Sequence, residues 1–354
     1  MNKQATIQPS GHMFELAENE PILDSALHAG VALPYGCRGG SCGVCRAKLV
    51  TGEVHYPFGP PLALTDEELA ENYVLPCLAE ALSDVTLDSP ELVGSGDVVV
   101  KTLPVRVARM EKLAHDVMGL WLKLPVVERL QFLAGQYIDF LLPGEVRRSF
   151  SIANAPHEDK FLELHIRQVP GGSFTNQVFT ELAEKSLLRL QGPLGNFYLR
   201  EESDRPIILM AGGTGFAPLK SIISHAIEIG IKRPMHVFWG VRAKRDLYHN
   251  VLAQSWAKEQ ANIFFTPVLS ESQPGDNWQG ETGWAHEAVL KHFPDLAIYD
   301  MYISGPPPMI NAAKAAFEKA ALPYDRLFFE SFEFAADIQM QIDIAEEKAR
   351  SKIR

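Results

Sequence analysis

Three of the chain's four cysteines fall within nine residues, as Cys37, Cys42 and Cys45 in the run Tyr35-Gly36-Cys37-Arg38-Gly39-Gly40-Ser41-Cys42-Gly43-Val44-Cys45; the fourth, Cys77, follows much later. A C-x4-C-x2-C run with a distant fourth cysteine is the spacing that holds a [2Fe–2S] cluster. Such a cluster with four thiolates is a net anion, more so once reduced, and it wants backbone N–H groups turned toward it. The interleaved glycines let the chain wrap it tightly without Cβ clashes. Structural zinc sites pair their ligands as two short Cys-x-x-Cys arms, which this spacing does not match. Four cysteines in 354 residues are also too few for a disulfide scaffold. The metal ligands expected are therefore Cys37, Cys42, Cys45 and Cys77.

The flanks suit such a loop. Ala5 to Ile7 and Met13 to Leu16 read as short strands around Pro9-Ser10-Gly11-His12, and Pro21 to Ala29 as a short helix with Pro21 in its first turn. Residues 1–92 resemble a ferredoxin domain, which implies a β-grasp fold. Met1 to Ser95 holds 13 acidic and 4 basic residues, so most of the chain's net charge of −11 sits beside the cluster. Docking on a basic partner surface and plain solubility both account for it.

Glu91 to Asp97 is Gly/Ser-punctuated, and residues 93–102 are expected to form a linker. Beyond it, Pro104–Met110, Val117–Leu124, Gln136–Leu142 and Phe161–Arg167 read as strands, the last with a period-2 pattern. This predicts an antiparallel β-barrel over 103–202. Within it, Arg148-Ser149-Phe150-Ser151 resembles the Arg-x-Tyr-Ser motif of the ferredoxin reductase superfamily, with Phe for Tyr, and Ala134-Gly135-Gln136-Tyr137 resembles that family's Pro-Gly-Gln-Tyr. The resemblance implies FAD. Arg148 would meet its pyrophosphate, Phe150 its isoalloxazine, and Ser151 would lie near N5, the hydride acceptor. Gly171, Gly172 and Thr175, in a Gly-rich turn entering a helix, are candidates for the flavin phosphates; a plain helix start is the alternative.

From 203 to 334 strands alternate with helices, which predicts a Rossmann-like open parallel α/β sheet for a nucleotide. Pro206–Met210, Met235–Gly240, Asn262–Thr266, Tyr299–Ser304 and Leu327–Phe329 read as its strands, the third ended by Pro267. Gly212-Gly213-Thr214-Gly215-Phe216-Ala217-Pro218 is not the G-x-G-x-x-G fingerprint but resembles the Gly-Gly-x-Gly-x-x-Pro turn of the same superfamily. Ser304-Gly305-Pro306-Pro307-Pro308-Met309 resembles its Cys-Gly-Pro-Pro-Pro-Met, with Ser304 for the cysteine near the nicotinamide. Glu330 and Phe332 fall where the family's closing segment covers the flavin; ordinary strand-end residues are the other reading. The resemblance thus assigns Ser151, Ser304 and Glu330 to the reacting centre, and Gly212, Gly213, Thr214, Gly215, Arg242, Gly305, Pro306 and Phe332 to the bound cofactors. Arg242, Lys244 and Arg245 offer cations for the 2′-phosphate of NADPH. The run Arg242 to Tyr248 instead resembles relatives that prefer NADH, and NADH is the expectation.

The expected whole is a multidomain α+β and α/β electron-transfer oxidoreductase running from NAD(P)H to FAD to [2Fe–2S] to a partner protein. Phe150 to His157, Gly192-Pro193-Leu194-Gly195 and the Gly212 turn resemble CDP-6-deoxy-Δ3,4-glucoseen reductase-like proteins, which implies a pyridoxamine-phosphate sugar dehydratase as partner. Reductase components of multicomponent oxygenases, of the phenol or methane monooxygenase type, share the module order and are the alternative. A stand-alone flavin reductase or diaphorase would not need the four cysteines, and a redox sensor would not need a complete nicotinamide site. The acidic balance argues against nucleic-acid binding. No apolar run reaches the roughly 18 residues that span a bilayer, and Met1 to Phe14 has no apolar signal core. A cytoplasmic monomer or weak oligomer is expected, with residues 335–354 as a C-terminal tail in which Ile338 to Ile344 alternate like a strand.

Overall fold

The computed structural model describes residues 3–91 and 99–332. The tail, and most of the predicted linker, lie outside them. The chain divides into two compact units, Met1–Val100 and Lys101–Arg354.

In the first unit, β1 (Lys3–Gln8) and β2 (Met13–Leu16) form the expected hairpin, followed by α1 (Ile22–His28). Pro21 is the residue before α1 rather than part of its first turn: its ψ of 140° is extended, and its carbonyl accepts from Asp24. Next come β3 (Ala47–Thr51), β4 (Val54–His55), α2 (Asp66–Ala70), β5 (Tyr73–Val74), β6 (Glu80–Ala81) and β7 (Val85–Asp88). The main sheet runs β2-β1-β7-β3-β5, with the first and last long strands, β1 and β7, parallel at its centre. Ile22, Leu23 and Ala26 form the buried face of α1. The long connection from α1 to β3 carries three cysteines, and the β5–β6 connection carries the fourth.

The second unit begins with β8 (Lys101–Ala114), β9 (Val117–Lys123), β10 (Tyr137–Leu141), β11 (Arg147–Ser151), β12 (Leu162–Arg167), α3 (Ser173–Thr180) and β13 (Leu187–Leu194). Its six-stranded antiparallel sheet has the order β11-β10-β13-β8-β9-β12. A bridge between Ile152 and Leu164 brings the two edges together, so the sheet curls into a barrel. Ile138, Phe140, Ile152, Leu164, Ile166 and Leu190 fill its interior. The period-2 pattern of β12 would leave one face wet, yet Leu162 to Ile166 are all buried. The polar residues of that face, Glu163 and His165, are covered by Lys220 of the helix Phe216–Glu228 and by Tyr248.

That sheet comprises β14 (Ile207–Gly212), β15 (Met235–Val241), β16 (Ile263–Leu269), β17 (Glu281–Thr282), β18 (Asp300–Gly305) and β19 (Leu327–Ser331), in the order β17-β16-β15-β14-β18-β19, all parallel. Helices α4 (Phe216–Glu228), α5 (Asn250–Glu259), α6 (Ala285–His292) and α7 (Pro307–Lys319) connect its strands. Two apolar clusters, one around Trp239 and Phe216 and one around Phe238 and Phe317, fill the two faces. Pro267 does not end its strand: β16 continues to Leu269, with Pro267 opposite Trp239. β17 reaches only Val268 and Leu269, so at Pro267 the outer side of β16 is a sheet edge, where a missing N–H is tolerated. The order of strands reverses between β14 and β18, the place where open α/β sheets bind ligands beyond their carboxyl ends.

Candidate functional site

The four cysteine sulfurs gather in the first unit. Cys37 and Cys42 share a hydrogen bond, as do Cys45 and Cys77. The backbone N–H groups of Gly39 and Cys37 donate to the sulfurs of Cys37 and Cys42, each at 3.4 Å, and the Ser41 hydroxyl donates to Cys37 at 3.4 Å. Gly40 has φ +75°, and a Cβ there would strike Leu78 at 2.3 Å. The Cys42 and Cys77 thiols are pushed far up, first by hydrogen bonds to the neighbouring sulfurs and then by burial, while Cys37 is drawn down to about 5, chiefly by its bond to Cys42. Four crowded sulfurs cannot all ionise without a cation among them. A soft donor set, inward N–H groups and a chain too tight for side chains fit an iron–sulfur cluster.

In the barrel, Arg148 and Phe150 share one face of β11, and Ser151 takes the other. The Phe150 ring, half-buried, stands 5.8 Å from both Phe140 and Phe174. Phe174 belongs to the first turn of α3, so the Arg-Ser-Phe-Ser strand and the glycine turn meet at one end of the barrel. Gly171 is left-handed at φ +81°, and Gly172 caps α3 without a side-chain bond. The Thr175 hydroxyl, however, donates to the Gly172 carbonyl at 3.3 Å and accepts from Val169 N–H at 3.2 Å. It shapes the turn. Gln136 ties the barrel mouth together, accepting from Leu133 N–H and donating to Gly195 O.

The Gly212 turn packs directly on the Ser304 segment. A Cβ at Gly215 would lie 2.0 Å from the Ser304 carbonyl, and one at Gly212 would lie 2.6 Å from the Met309 sulfur. Trp239 Nε1 donates to Gly213 O at 2.9 Å and its ring stacks on Phe216 at 4.0 Å. Thr214 lies within that turn, and Pro306 caps α7. Gly305 accepts from Phe332 N–H at 2.9 Å, which ties the closing segment to this loop.

Ser151, Ser304 and Glu330, from three distant stretches of sequence, come together. Ser304 is opposite Glu330 in the β18–β19 pairing, and the Ser151 hydroxyl donates to Glu330 at 3.0 Å. Burial pushes the Glu330 carboxyl up to about 8, against the opposing effect of the Ser151 bond. The Ser304 hydroxyl is fully buried and has no hydrogen-bond partner among the described residues.

Sequence reasoning missed one cluster altogether. Lys220 of α4 donates to Glu163 at 2.8 Å, His165 Nε2 donates to the other Glu163 oxygen at 2.9 Å, and His165 Nδ1 accepts from Tyr248 at 3.1 Å. Desolvation would raise Glu163, but His165 and Lys220 hold it down at about 2, and burial lowers His165 and brings His249 to about 3. With Glu163 already matched by Lys220, the Glu163–His165–His249 group is a poor cation site. The cluster pins the barrel to α4. Its only sequence signal is the polar residues alternating along β12.

The comparisons follow this division of labour. Residues 5–82 match the 2Fe-2S iron-sulfur cluster binding domain, 104–198 the oxidoreductase FAD-binding domain, and 209–315 the oxidoreductase NAD-binding domain. Over 94% of its length the chain is 39% identical to the CDP-6-deoxy-L-threo-D-glycero-4-hexulose-3-dehydrase reductase of Yersinia pestis, 99% of which is covered. The chain belongs to the iron–sulfur flavoprotein reductases. The reductase is also 36% identical to the phenol hydroxylase P5 protein of Acinetobacter pittii, over 95% of this chain and 96% of that one. Among solved structures it resembles the Amycolatopsis cytochrome P450 reductase GcoB, with TM-score 0.81, 32% identity, and 93% and 98% of the two chains covered. It is an NAD(P)H-dependent oxidoreductase whose cluster, FAD and NAD domains form an electron-transfer chain. Among the described residues no helix is long and apolar enough to cross a membrane.

Proposed function

We propose that the reductase takes hydride from NADH and delivers single electrons through its cluster to a pyridoxamine-phosphate-type sugar dehydratase. The 39% identity to the Yersinia hexulose-dehydrase reductase supports that partner. The 36% identity to the phenol hydroxylase protein favours an oxygenase component as the second reading. When bound, FAD accepts a hydride and releases electrons singly. Cys37, Cys42, Cys45 and Cys77 hold the cluster. Arg148 and the backbone of Gly171 and Gly172 meet the flavin phosphates, Phe150 lines the flavin ring, and Phe332 covers it. Gly212, Gly213, Thr214, Gly215, Gly305, Pro306 and Arg242 shape the nucleotide site.

The observation that carries the hydride site is the Ser151–Glu330 hydrogen bond beside Ser304. Ser151 and Glu330 hold a proton between barrel and sheet, and Ser304 packs the nicotinamide. The first 92 residues are read as the cluster domain, 93–102 as linker, 103–202 as the flavin barrel, 203–334 as the nucleotide domain and 335–354 as tail. Cytoplasmic placement keeps the thiols reduced until the cluster assembles, and a monomer or weak oligomer suffices for the wire. The test is anaerobic stopped-flow mixing of the NADH-reduced reductase with a purified sugar dehydratase or an oxygenase component. Cluster reoxidation by the dehydratase alone supports the proposal. Reoxidation by the oxygenase alone overturns the partner assignment, and a flavin that NADH fails to bleach overturns the hydride site.

A further inference from the structure

Two of the cations that follow β15, Arg242 and Arg245, lie beside carboxylates, and one of these carboxylates comes from the barrel. Asp116 sits in the β8–β9 turn, where its carbonyl accepts from Gln168 N–H just after β12. One Asp116 oxygen lies 3.3 Å from Arg167 and 3.5 Å from Arg242. The Arg167 guanidinium rests on the glycine turn, 2.6 Å from where a Cβ of Gly213 would be. Arg242 also lies 3.8 Å from Asp246, which is itself 2% exposed and accepts from Ala243 N–H. Arg245 reaches Asp246 at 4.0 Å, Lys244 donates to the Asp276 carbonyl, and the exposed His115 stands 3.8 and 3.7 Å from Asp116 and Asp246.

NADPH differs from NADH by a dianionic phosphate on the adenosine ribose. In parallel dinucleotide folds, that ribose lies past the second strand, where an acidic residue suits the free hydroxyl and an arginine suits the phosphate. Here an arginine is present, but two carboxylates flank it, Asp116 shared with Arg167 and Asp246 with Arg245. An incoming phosphate meets both of them. We infer that Asp116 is a specificity-determining residue: from the barrel it sets a carboxylate beside Arg242, where a 2′-phosphate would meet it, and biases the nucleotide site toward NADH. It acts through Arg242 and touches no nucleotide, so it is a positioning residue. The inference rests on reading the carboxyl ends of β14 and β15 as the nucleotide site.

The experiment titrates the flavin-loaded holoenzyme calorimetrically with ADP and with 2′,5′-ADP. Asp116→Asn is expected to tighten 2′,5′-ADP at least tenfold relative to ADP, and to lower the KM for NADPH with kcat held. Asp116→Glu is expected to keep the parental ratio. The double variant Asp116→Asn/Arg242→Ala is expected to lose the gain. An unchanged ratio in Asp116→Asn, or a gain that survives removal of Arg242, overturns the inference. So does a parent that uses NADPH as well as NADH, whatever the variants do. Binding of neither nucleotide would instead overturn the reading of the site itself.

Discussion

The Ser151 hydroxyl and the Glu330 carboxyl stand 3.0 Å apart across 179 residues of sequence, joining the last barrel residue of β11 to the last strand of the sheet. Glu330 is raised to about 8 by burial from an ordinary 4.5. A carboxyl raised on folding gives stability that is complete below the unfolded value and is lost as pH rises through the folded one. Glu330→Gln, which keeps a hydrogen-bond partner for Ser151 without the charge, should match the parent in melting temperature near pH 4.5 and exceed it progressively toward pH 8. The pH profile of NADH-dependent turnover should lose an ionisation near 8 in the same variant. Parallel melting curves across that range would remove Glu330 from the buried pair.

Ser304 presents the opposite case, a buried hydroxyl with no hydrogen-bond partner among the described residues. Leaving such a group unsatisfied costs about 1–3 kcal/mol. Ser304→Ala should therefore hold or raise the melting temperature while altering the rate of flavin bleaching by NADH in stopped flow. A marked loss of stability would mean that the hydroxyl has a partner in solution.

Gly215 tests the close packing of the two nucleotide loops. The obstacle to a Cβ there is the Ser304 carbonyl, part of the backbone, at 2.0 Å. Overpacking of this kind costs about 1–3 kcal/mol or more. Gly215→Ala should lower the melting temperature and weaken ADP binding, while FAD absorbance, which depends on the barrel, is retained. Unchanged ADP affinity would show that the two loops move independently.

How much of this was legible beforehand depends on how local each cause is. The cysteine loop was readable because three of the four cysteines and two left-handed glycines, Gly40 and Gly43, lie within nine residues. The Gly212 and Ser304 loops were readable because each is a short turn at a strand end. Pro267 misled because proline's effect depends on whether a neighbour needs its N–H, and that is set by the length of β17, in a separate stretch of chain. The period-2 pattern of β12 shows that Glu163 and His165 share a face, but nothing nearby in sequence announces Lys220 or Tyr248. Ser151 and Glu330 were each singled out through resemblance, but their hydrogen bond is a product of tertiary packing alone.

The Glu163–Lys220 pair makes a prediction of opposite sign to Glu330. Glu163 is depressed to about 2, so its contribution is present above the unfolded value near 4.5 and is lost as pH falls through about 2. Removing one partner of a buried pair leaves the other charge uncompensated, at about 3–5 kcal/mol. Lys220→Met should destabilise the second unit by that order at pH 7 and by much less at pH 2, as measured by denaturant unfolding. Equal losses at both pH values would assign the effect to packing.

Cys42 separates the flavin from the wire. Its sulfur accepts the Cys37 N–H and shares a hydrogen bond with the Cys37 sulfur, at the centre of the donor set. Serine offers a hard oxygen where a soft sulfur is required. Cys42→Ser should lose the cluster's visible and paramagnetic signals but keep its FAD, because the flavin residues lie in the other unit. Turnover of NADH with ferricyanide, a small acceptor that takes electrons from the flavin directly, should stay within about threefold of the parent, a shift of under about 1 kcal/mol in barrier. Reduction of a one-electron protein acceptor should fall to background. A variant that still reduced the protein acceptor at the parental rate would place the electron exit at the flavin, and the first unit would then have no part in the wire.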